Sequence, residues 1–366
     1  MELAGAFGDL GTFIPFVAAY ITLNKMDPLG ILVAFGVFKI FVGQYFKTPF
    51  PVQPMKAIGG MAIAHPESIT QGMIWGSGIF TAVFWLVMGF TGAVSWLHKI
   101  TAKPIIRGIM LGLGLSFVLE GIGMMKGQPV VAVIALAGTF FLLSRERIPA
   151  MLILLAFGMG VALISSPSLW NELTQISARL RIPEVYLGKI TWQDLIAGTL
   201  ILGLPQAPLT LGNAIIGTAE ENNELFPDRP AKVKTIALDH GFMNIFSAAI
   251  GGIPLCHGAG GMAGHVRFGA RTGGALVIMG VIVLVLGLFF SDSVATIFKF
   301  FPPSILGVIL FFTGLELASI SRDIGSKRSD VYIMLVTAGL AMWNMGVAYL
   351  AGLALYYGVE KRILKF

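Results

Sequence analysis

The residues best suited to chemistry lie in two short stretches. They are Phe50-Pro51-Val52-Gln53-Pro54-Met55-Lys56-Ala57 and Ile253-Pro254-Leu255-Cys256-His257-Gly258-Ala259-Gly260-Gly261. Each sets Pro and polar side chains inside apolar sequence, with a Gly pair at Gly59-Gly60 after the first and at Gly260-Gly261 in the second, and each segment is too short to cross a bilayer alone. The pattern predicts an extended approach followed by a half-helix that starts deep in the membrane. Pro54 and Pro254 suit the first helical turn, where no backbone N–H is required. A helix start leaves N–H groups unpartnered and behaves like roughly +0.5 of a charge. Two starts facing each other offer about +1, and Lys56 in the first turn raises this to about +2, a match for a small dianion. A cation at that position has the wrong sign for the helix dipole unless an anion is close. The plainer readings are two kinked structural helices, with Lys56 paired to a membrane carboxylate such as Asp9 or snorkelling to the surface. Gly258 to Gly261 would let backbone approach a tetrahedral oxyanion closely, although Gly clusters in membrane helices more often form packing faces.

The elements that must hold these stretches are set by composition. Of 366 residues, 56% are hydrophobic and only 12% charged. A soluble domain carries about 25% charged residues, so a water-facing surface is excluded. The 46 Gly show no three-residue period, and a single Cys forms no internal bridge. Long uncharged runs occur at about 4–23, 28–46, 72–97, 104–119, 129–143, 148–164, 193–218, 235–250, 273–290, 303–318 and 331–358, the last broken near Asn344. With the two short stretches they predict an all-α polytopic membrane protein of about fourteen segments. The runs are continuously apolar, which rejects a transmembrane β-barrel. The N-terminus lacks the basic region of a cleavable signal peptide.

Threading fourteen segments from a cytoplasmic N-terminus gathers most basic residues on one side, among them Lys47, Lys99, Lys103, Arg107, Arg145, Arg147, Arg229, Lys232, Arg271, Lys327 and Lys365. The other side holds few, chiefly Lys25, Arg179, Arg181, Lys189 and Lys299. The positive-inside rule then places both termini in the cytoplasm. The net charge of +6 needs no nucleic acid, because anionic lipid accounts for it. Residues 166–190, with the amphipathic Leu169-Trp170-Asn171-Glu172-Leu173, are the one long polar interruption and split the chain into halves of seven segments. Gly59-Gly60-Met61-Ala62 recurs as Gly260-Gly261-Met262-Ala263. Pro104-x-x-x-Gly108 recurs as Pro303-x-x-x-Gly307, and Pro15 corresponds to Pro208. Inverted repeats with matching broken segments point to a secondary transporter.

Four blocks carry a family resemblance. They are Gly5-Ala6-Phe7-Gly8-Asp9-Leu10-Gly11-Thr12-Phe13-Ile14-Pro15, Pro51-Val52-Gln53-Pro54-Met55-Lys56, Leu204-Pro205-Gln206-Ala207-Pro208-Leu209-Thr210-Leu211-Gly212-Asn213, and Pro254 to Gly261 with Arg267-Phe268-Gly269-Ala270-Arg271-Thr272-Gly273. The sequence resembles the molybdate transporter family of the sulfate permease superfamily. The resemblance implies a seven-plus-seven inverted repeat, with core segments 1–4 (about 1–98) and 8–11 (about 191–292). It implies gate segments 5–7 (about 99–165) and 12–14 (about 293–366), with 166–190 as linker. It also implies molybdate as substrate, held between segments 3 and 10, and a homodimer formed through the gate. Only a short tail follows Tyr357, so the regulatory domain that many sulfate permeases carry there is expected to be absent.

On that basis Gln53, Lys56, His257, Gly258 and Ala259 are the first-choice substrate contacts, with Thr12, Gln206 and Asp9 behind them. An acidic residue beside an anion site must be paired or protonated, so Asp9 is expected to be a lysine partner or else a proton carrier. Glu316 and Glu120 are expected to be structural or proton-linked, and Asp239-His240 a helix-end polar contact. Cys256-His257 lacks the ligand count of a metal site, and no cofactor is expected. No His-Glu-x-x-His motif or nucleophile elbow is present, which argues against an enzyme. The expected activity is cation-coupled uptake of molybdate by alternating access, with the proton as first choice of cation, across a bacterial or archaeal cytoplasmic membrane. Tungstate should bind in the same way. The rivals are a sulfate transporter of the same fold and a passive anion channel.

Overall fold

Residues 1–145 and 149–364 are described by a computed structural model, so Arg147 and Lys365, counted above among the basic loops, lie outside the described residues. The first span is broken: α1 (Glu2–Ala6) and α2 (Leu10–Thr22) are separated by a turn at which Asp9 forms the N-cap position of α2. Asp27 caps α3 (Pro28–Phe46) by accepting from the Leu29 N–H, and Pro28 sits in the first turn, where its missing N–H costs nothing. The chain then runs extended through β1 (Gln53–Pro54) into α4 (Lys56–Ala64). Next come α5 (Gln71–Thr91), capped by Thr70, and the short surface helix α6 (Ala93–Ile100). The first half closes with α7 (Lys103–Met125), α8 (Pro129–Leu143) and α9 (Ala150–Ser165), and α10 (Ser168–Thr174) opens the linker.

The second half repeats the plan. A long helix, α11 (Trp192–Leu225), is followed by α12 (Val233–Ala249), β2 (Leu255–Cys256), α13 (Ala259–Arg267) and α14 (Gly274–Phe290). It ends in α15 (Pro303–Ser319), α16 (Arg328–Trp343) and α17 (Met345–Glu360), broken at Asn344 as the sequence predicts. Within α11, Pro205 and Pro208 lie between two π-helical stretches, Gly198–Gly203 and Thr210–Gly217. A helix-interior proline removes one hydrogen bond and crowds the preceding turn, and wider turns absorb both defects. Six described helices are individually long and apolar enough to cross a bilayer. The remaining segments are shorter or broken, which is the pattern of a fourteen-segment core-and-gate fold with bent helices.

Packing displays the repeat. In one helix group α3 lies along α14 and α5 along α12; in the other α7 packs on α15 and α16, α8 on α15, and α16 on α17. Taken as segment numbers, 2 on 11 mirrors 9 on 4, and 5 on 13 mirrors 12 on 6. The α7–α15 crossing is made at backbone distance. A Cβ on Gly114 would stand 2.7 Å from the Gly314 carbonyl oxygen, and one on Gly314 would stand 2.6 Å from that of Gly114. Lipid tails give apolar helices no hydrophobic reason to associate, so close backbone approach through small residues supplies the attraction.

One expectation is corrected here. Pro54 lies within β1 and Pro254 immediately before β2, so neither occupies a first helical turn. Their lack of an N–H instead suits them to paired extended backbone at positions where only the proline carbonyl is used and the partner donates: the Met55 N–H donates to the Pro254 carbonyl at 3.0 Å.

Ion pairs sort the loops into two faces. The face carrying the N-terminus joins Lys103 and Arg107 to Asp323, Arg107 to Glu224, His98 to Glu220, and Arg267 to Glu316. The opposite face joins Arg181 to Asp27 and Asp292, and Lys299 to Glu172. Every one of these pairs links loops that the threading assigns to the same side. The linker lies against the opposite face, where the Arg179 and Arg181 N–H groups donate to the Phe289 and Leu288 carbonyls and Tyr186 N–H to that of Ala249.

Gly114→Val should disrupt the α7–α15 crossing by about 1–3 kcal/mol of overpacking. Thermal unfolding of the purified protein in detergent should show a midpoint lowered by several degrees. Gly138→Val, where a Cβ meets nothing within 4 Å, should leave it unchanged; equal midpoints for the two variants would contradict this account of the crossing.

Candidate functional site

Two strands meet antiparallel in the interior, with Gln53 opposite Cys256 and Pro54 opposite Leu255. Each runs within a few residues into a half-helix, so antiparallel pairing sends α4 and α13 to opposite faces with their N-termini together. The far end of α4 is fixed where Asn24 donates to the Ala62 carbonyl, and that of α13 where Arg267 meets Glu316. Asn244 on α12 brackets β2: its amide oxygen accepts from the Leu255 N–H and its amide nitrogen donates to the Leu255 carbonyl, both at 2.8 Å. A single side chain thus stands in for a third strand.

Around this junction the structure gathers Thr12, Gln53, Gln206, Gly258 and Ala259. Gln53 Nε2 donates to Thr12 Oγ1 at 2.9 Å. Gln206 Oε1 accepts from the Ala57 and Ile58 N–H groups at 2.8 and 3.4 Å, capping α4 from the other half of the chain. Asn213 Oδ1 caps α13 by accepting from the Ala259 N–H at 3.2 Å. Both caps come from α11. A Cβ on Gly258 would lie 2.7 Å from Gln53 Oε1 and 3.3 Å from Asn213 Nδ2, so glycine is what allows these two amides to converge there.

Lys56 opens α4 at its first residue. Its Nζ is buried and, among the described residues, has no hydrogen-bond partner. It lies 3.5 Å from the centroid of the Phe117 ring, a cation–π contact of the kind that strengthens when desolvated. Phe117 belongs to α7 in the other helix group, and a Cβ on Gly260 would meet the same ring at 2.3 Å. One aromatic ring therefore covers the starts of both half-helices.

His257 is held on both sides. Its Nε2 lies 2.8 Å from Asp239 Oδ2 and its Nδ1 2.8 Å from the Pro51 carbonyl oxygen. A carbonyl oxygen can only accept, so Nδ1 donates to Pro51, and Nε2 shares a hydrogen bond with the Asp239 carboxyl group. It clasps α12 to the approach of β1, and its backbone N–H faces His240 Nε2 at 3.4 Å. Asp239 and His240 are mid-helix residues of α12 rather than helix-end contacts, a second correction. Sequence position near the start of an apolar run concealed that they face β2. Cys256 Sγ lies 3.4 Å from His240 Nε2, while the His257 ring turns to Asp239, so the adjacent Cys and His do not converge as ligands.

Asp9 sits at the break between α1 and α2. Its carboxylate is fully buried, 2.8 Å from Lys39 Nζ and 3.7 Å from His265 Nε2. Its lysine partner is thus Lys39, and among the described residues Lys56 makes no hydrogen bond or close ion pair. Glu316 is partly exposed and lies 3.5 Å from Arg267. Four residues that bear on the site were not singled out by sequence: Asn213, Asn244, Phe117 and Glu221. Asn213 follows Gln206 by two helical turns, a spacing that signals one face. Phe117 gives no signal within an apolar run. Glu221 is buried on α11, with neither carboxylate oxygen hydrogen-bonded among the described residues.

The chain matches the family described as "Molybdate transporter of MFS superfamily" over residues 1–117 and 198–317, which include every element of the junction. It is 33% identical to Molybdate transporter 2 of Arabidopsis thaliana, over 99% of this chain and 88% of that protein. To Molybdate transporter 1 of Chlamydomonas reinhardtii it is 27% identical, over 96% of this chain and 90% of that one. Its fold is similar to the transmembrane domain of a cyanobacterium bicarbonate transporter, BicA, with TM-score 0.58 and 16% identity over 96% of both chains. It is also similar to the murine Solute Carrier 26 family member A9 anion transporter in its inward-facing state. There the TM-score is 0.62 with 14% identity, over all of this chain and 69% of that one.

The Asp9–Lys39 pair yields a stability test. Lys39→Met strands a buried carboxylate and should destabilise by about 3–5 kcal/mol, while Asp9→Asn combined with Lys39→Met should recover most of the loss. Thermal unfolding of the three proteins measures this, and a double variant no more stable than Lys39→Met would show that the two residues are not coupled.

Proposed function

This chain belongs to the molybdate transporter family, and from that premise we propose that it is a secondary transporter that takes up molybdate by alternating access, coupled to protons. The observation that carries this reading is the junction of two half-helix N-termini beside a buried ammonium that has no hydrogen-bond partner among the described residues. The two helix ends and Lys56 together supply about +2, which suits a tetrahedral dianion. The second Nε2 proton of Gln53 and the Gly258 N–H supply neutral donors around it, while Thr12 and Ala259, whose own protons go to the Asp9 carbonyl and to Asn213, shape its wall. Gln206 contributes by fixing the start of α4, and His257 by fixing β2 in register. In this reading the core spans about 1–98 and 191–292, the gate about 99–165 and 293–366, and the core carries the junction past Phe117. The basic N-terminal face lies in the cytoplasm, and gate helices pair two copies into a homodimer.

Moving a dianion inward against an inside-negative potential costs about 4.6 kcal/mol per 100 mV, from roughly 2.3 per charge. Cotransported cations offset that charge. Asp9 is committed to Lys39 and Glu316 to Arg267. Among the described residues Glu221 is a fully buried carboxylate with neither oxygen hydrogen-bonded, and an intramembrane carboxylate in that condition is where a travelling proton is most readily held.

Three measurements test these statements. Titration of the purified protein with molybdate and with sulfate should show preference for molybdate, and equal affinity would favour the sulfate reading. Lys56→Ala should weaken molybdate binding about 10- to 100-fold, the worth of one hydrogen bond to a charged group; undiminished affinity in a folded variant would refute charge matching. Proteoliposomes with an imposed proton gradient should accumulate molybdate above equilibrium, and Glu221→Gln should abolish the dependence on the gradient while binding persists. Failure of the wild type to concentrate substrate would identify a passive channel.

A further inference from the structure

An open groove runs down the membrane-facing side of the core between α3 and α12. Val37, Phe41 and Tyr45 line it from α3, and Thr235, Leu238 and Phe242 from α12. Its volume is about 500 Å³, and apart from Thr235 and the Asp239 carboxylate at its floor the lining is apolar or aromatic. The α3 wall spans Val37 to Tyr45 and the α12 wall Thr235 to Phe246. At 1.5 Å per residue these walls are about 12 and 16 Å long. Half the hydrocarbon thickness of a bilayer is about 15 Å, so the groove matches the reach of one acyl chain in one leaflet.

At the N-terminal face the groove meets a second concavity that shares Tyr45 and Thr235 with it and is lined by Lys47, Arg229 and Lys232. This end is built rather than incidental. The Arg229 guanidinium donates to the Lys47 carbonyl, tying the end of α3 to the loop before α12, and Lys47 is held in the left-handed conformation at φ 58°. A cationic cup at headgroup depth, continuous with an apolar slot one leaflet long, has the two halves of a phospholipid's chemistry in the right order.

We infer that the α3–α12 groove binds an anionic phospholipid, its phosphate against Lys47, Arg229 and Lys232 and one acyl chain along Val37, Phe41, Leu238 and Phe242. The lipid would touch the transport core directly. Asp239 at the groove floor holds His257, which in turn holds the approach to β1.

Native mass spectrometry of the full chain, delipidated in detergent, tests this with dioleoyl phosphatidylglycerol and dioleoyl phosphatidylcholine as probes. The wild type should bind the first phosphatidylglycerol at least tenfold more tightly than phosphatidylcholine. Lys47→Gln with Lys232→Gln should erase that preference. Thr235→Trp, which fills the junction of cup and slot, should remove the tight adduct of either lipid. Equal affinity of the wild type for the two lipids would overturn the inference, and so would an unchanged preference in the lysine variant. Competition by water-soluble glycerol phosphate at concentrations equal to the lipid would reduce the site to a free-phosphate cup and also overturn it. If Thr235→Trp does not fold, the wild-type preference and the lysine variant decide alone.

Discussion

Extended backbone has no place in the middle of a bilayer unless its polar groups are satisfied, and this structure depends on how that demand is met. Unpaired N–H and C=O groups in hydrocarbon cost several kcal/mol each. Neither short stretch could cross halfway as a strand by itself. They pair with each other, Gln53 against Cys256, and Asn244 completes the outer edge of β2. Because each strand belongs to a different half of the chain, neither half can form the junction without the other. The antiparallel register then leaves no freedom in where the half-helices begin. Two helix starts are brought together because two strands must be.

The surrounding helices divide the labour. One group holds the junction through buried polar contacts: the Gln206 and Asn213 caps, the His257 clasp and the Asp9–Lys39 pair. The other group meets it with an aromatic ring, Phe117, and makes its own main crossing through glycines. Polar contacts are directional and fix geometry, while a ring face tolerates sliding. At the N-terminal face the two groups are joined by charge, Arg107 to Glu224 and Glu316 to Arg267. Ion pairs at a wet boundary can be exchanged for water at modest cost. The boundary between the groups is thus made of interactions that can be remade.

Much of this plan was legible in the sequence because bilayer thickness constrains it so strongly. The fourteen segments, the break at Asn344 and the two short broken segments follow from run length and from Gly and Pro placement. The gathering of Thr12, Gln53, Gln206, Gly258 and Ala259 followed from dipole arguments and from resemblance. What was not legible depended on direction. Pro54 reads equally well as a helix start or as paired strand, and only the partner strand decides. Lys39 and Lys56 are equivalent as isolated cations in apolar runs, and which one meets Asp9 is a matter of tertiary proximity. Asp239, near the start of an apolar run, looks like a surface residue until α12 is seen to turn that face onto β2. Glu221 sits in a polar Glu-Glu-Asn-Asn stretch that resembles a loop, whereas the structure continues α11 through it and buries the side chain.

Both half-helix starts hang from one helix. Gln206 caps α4 and Asn213 caps α13, and α11 carries them two turns apart across a stretch widened by π-helical turns. Nothing equivalent comes from α2, its counterpart in the other half, where Asp9 is taken up by Lys39. The pseudo-symmetry of the backbone is therefore not matched by the side chains. Mechanically, the two termini are wired to a single lever: a tilt or rotation of α11 loosens both caps together, and a rigid α11 keeps both intact through any displacement of the core. The junction answers to one input rather than two, and its integrity while it travels is a property of that one helix.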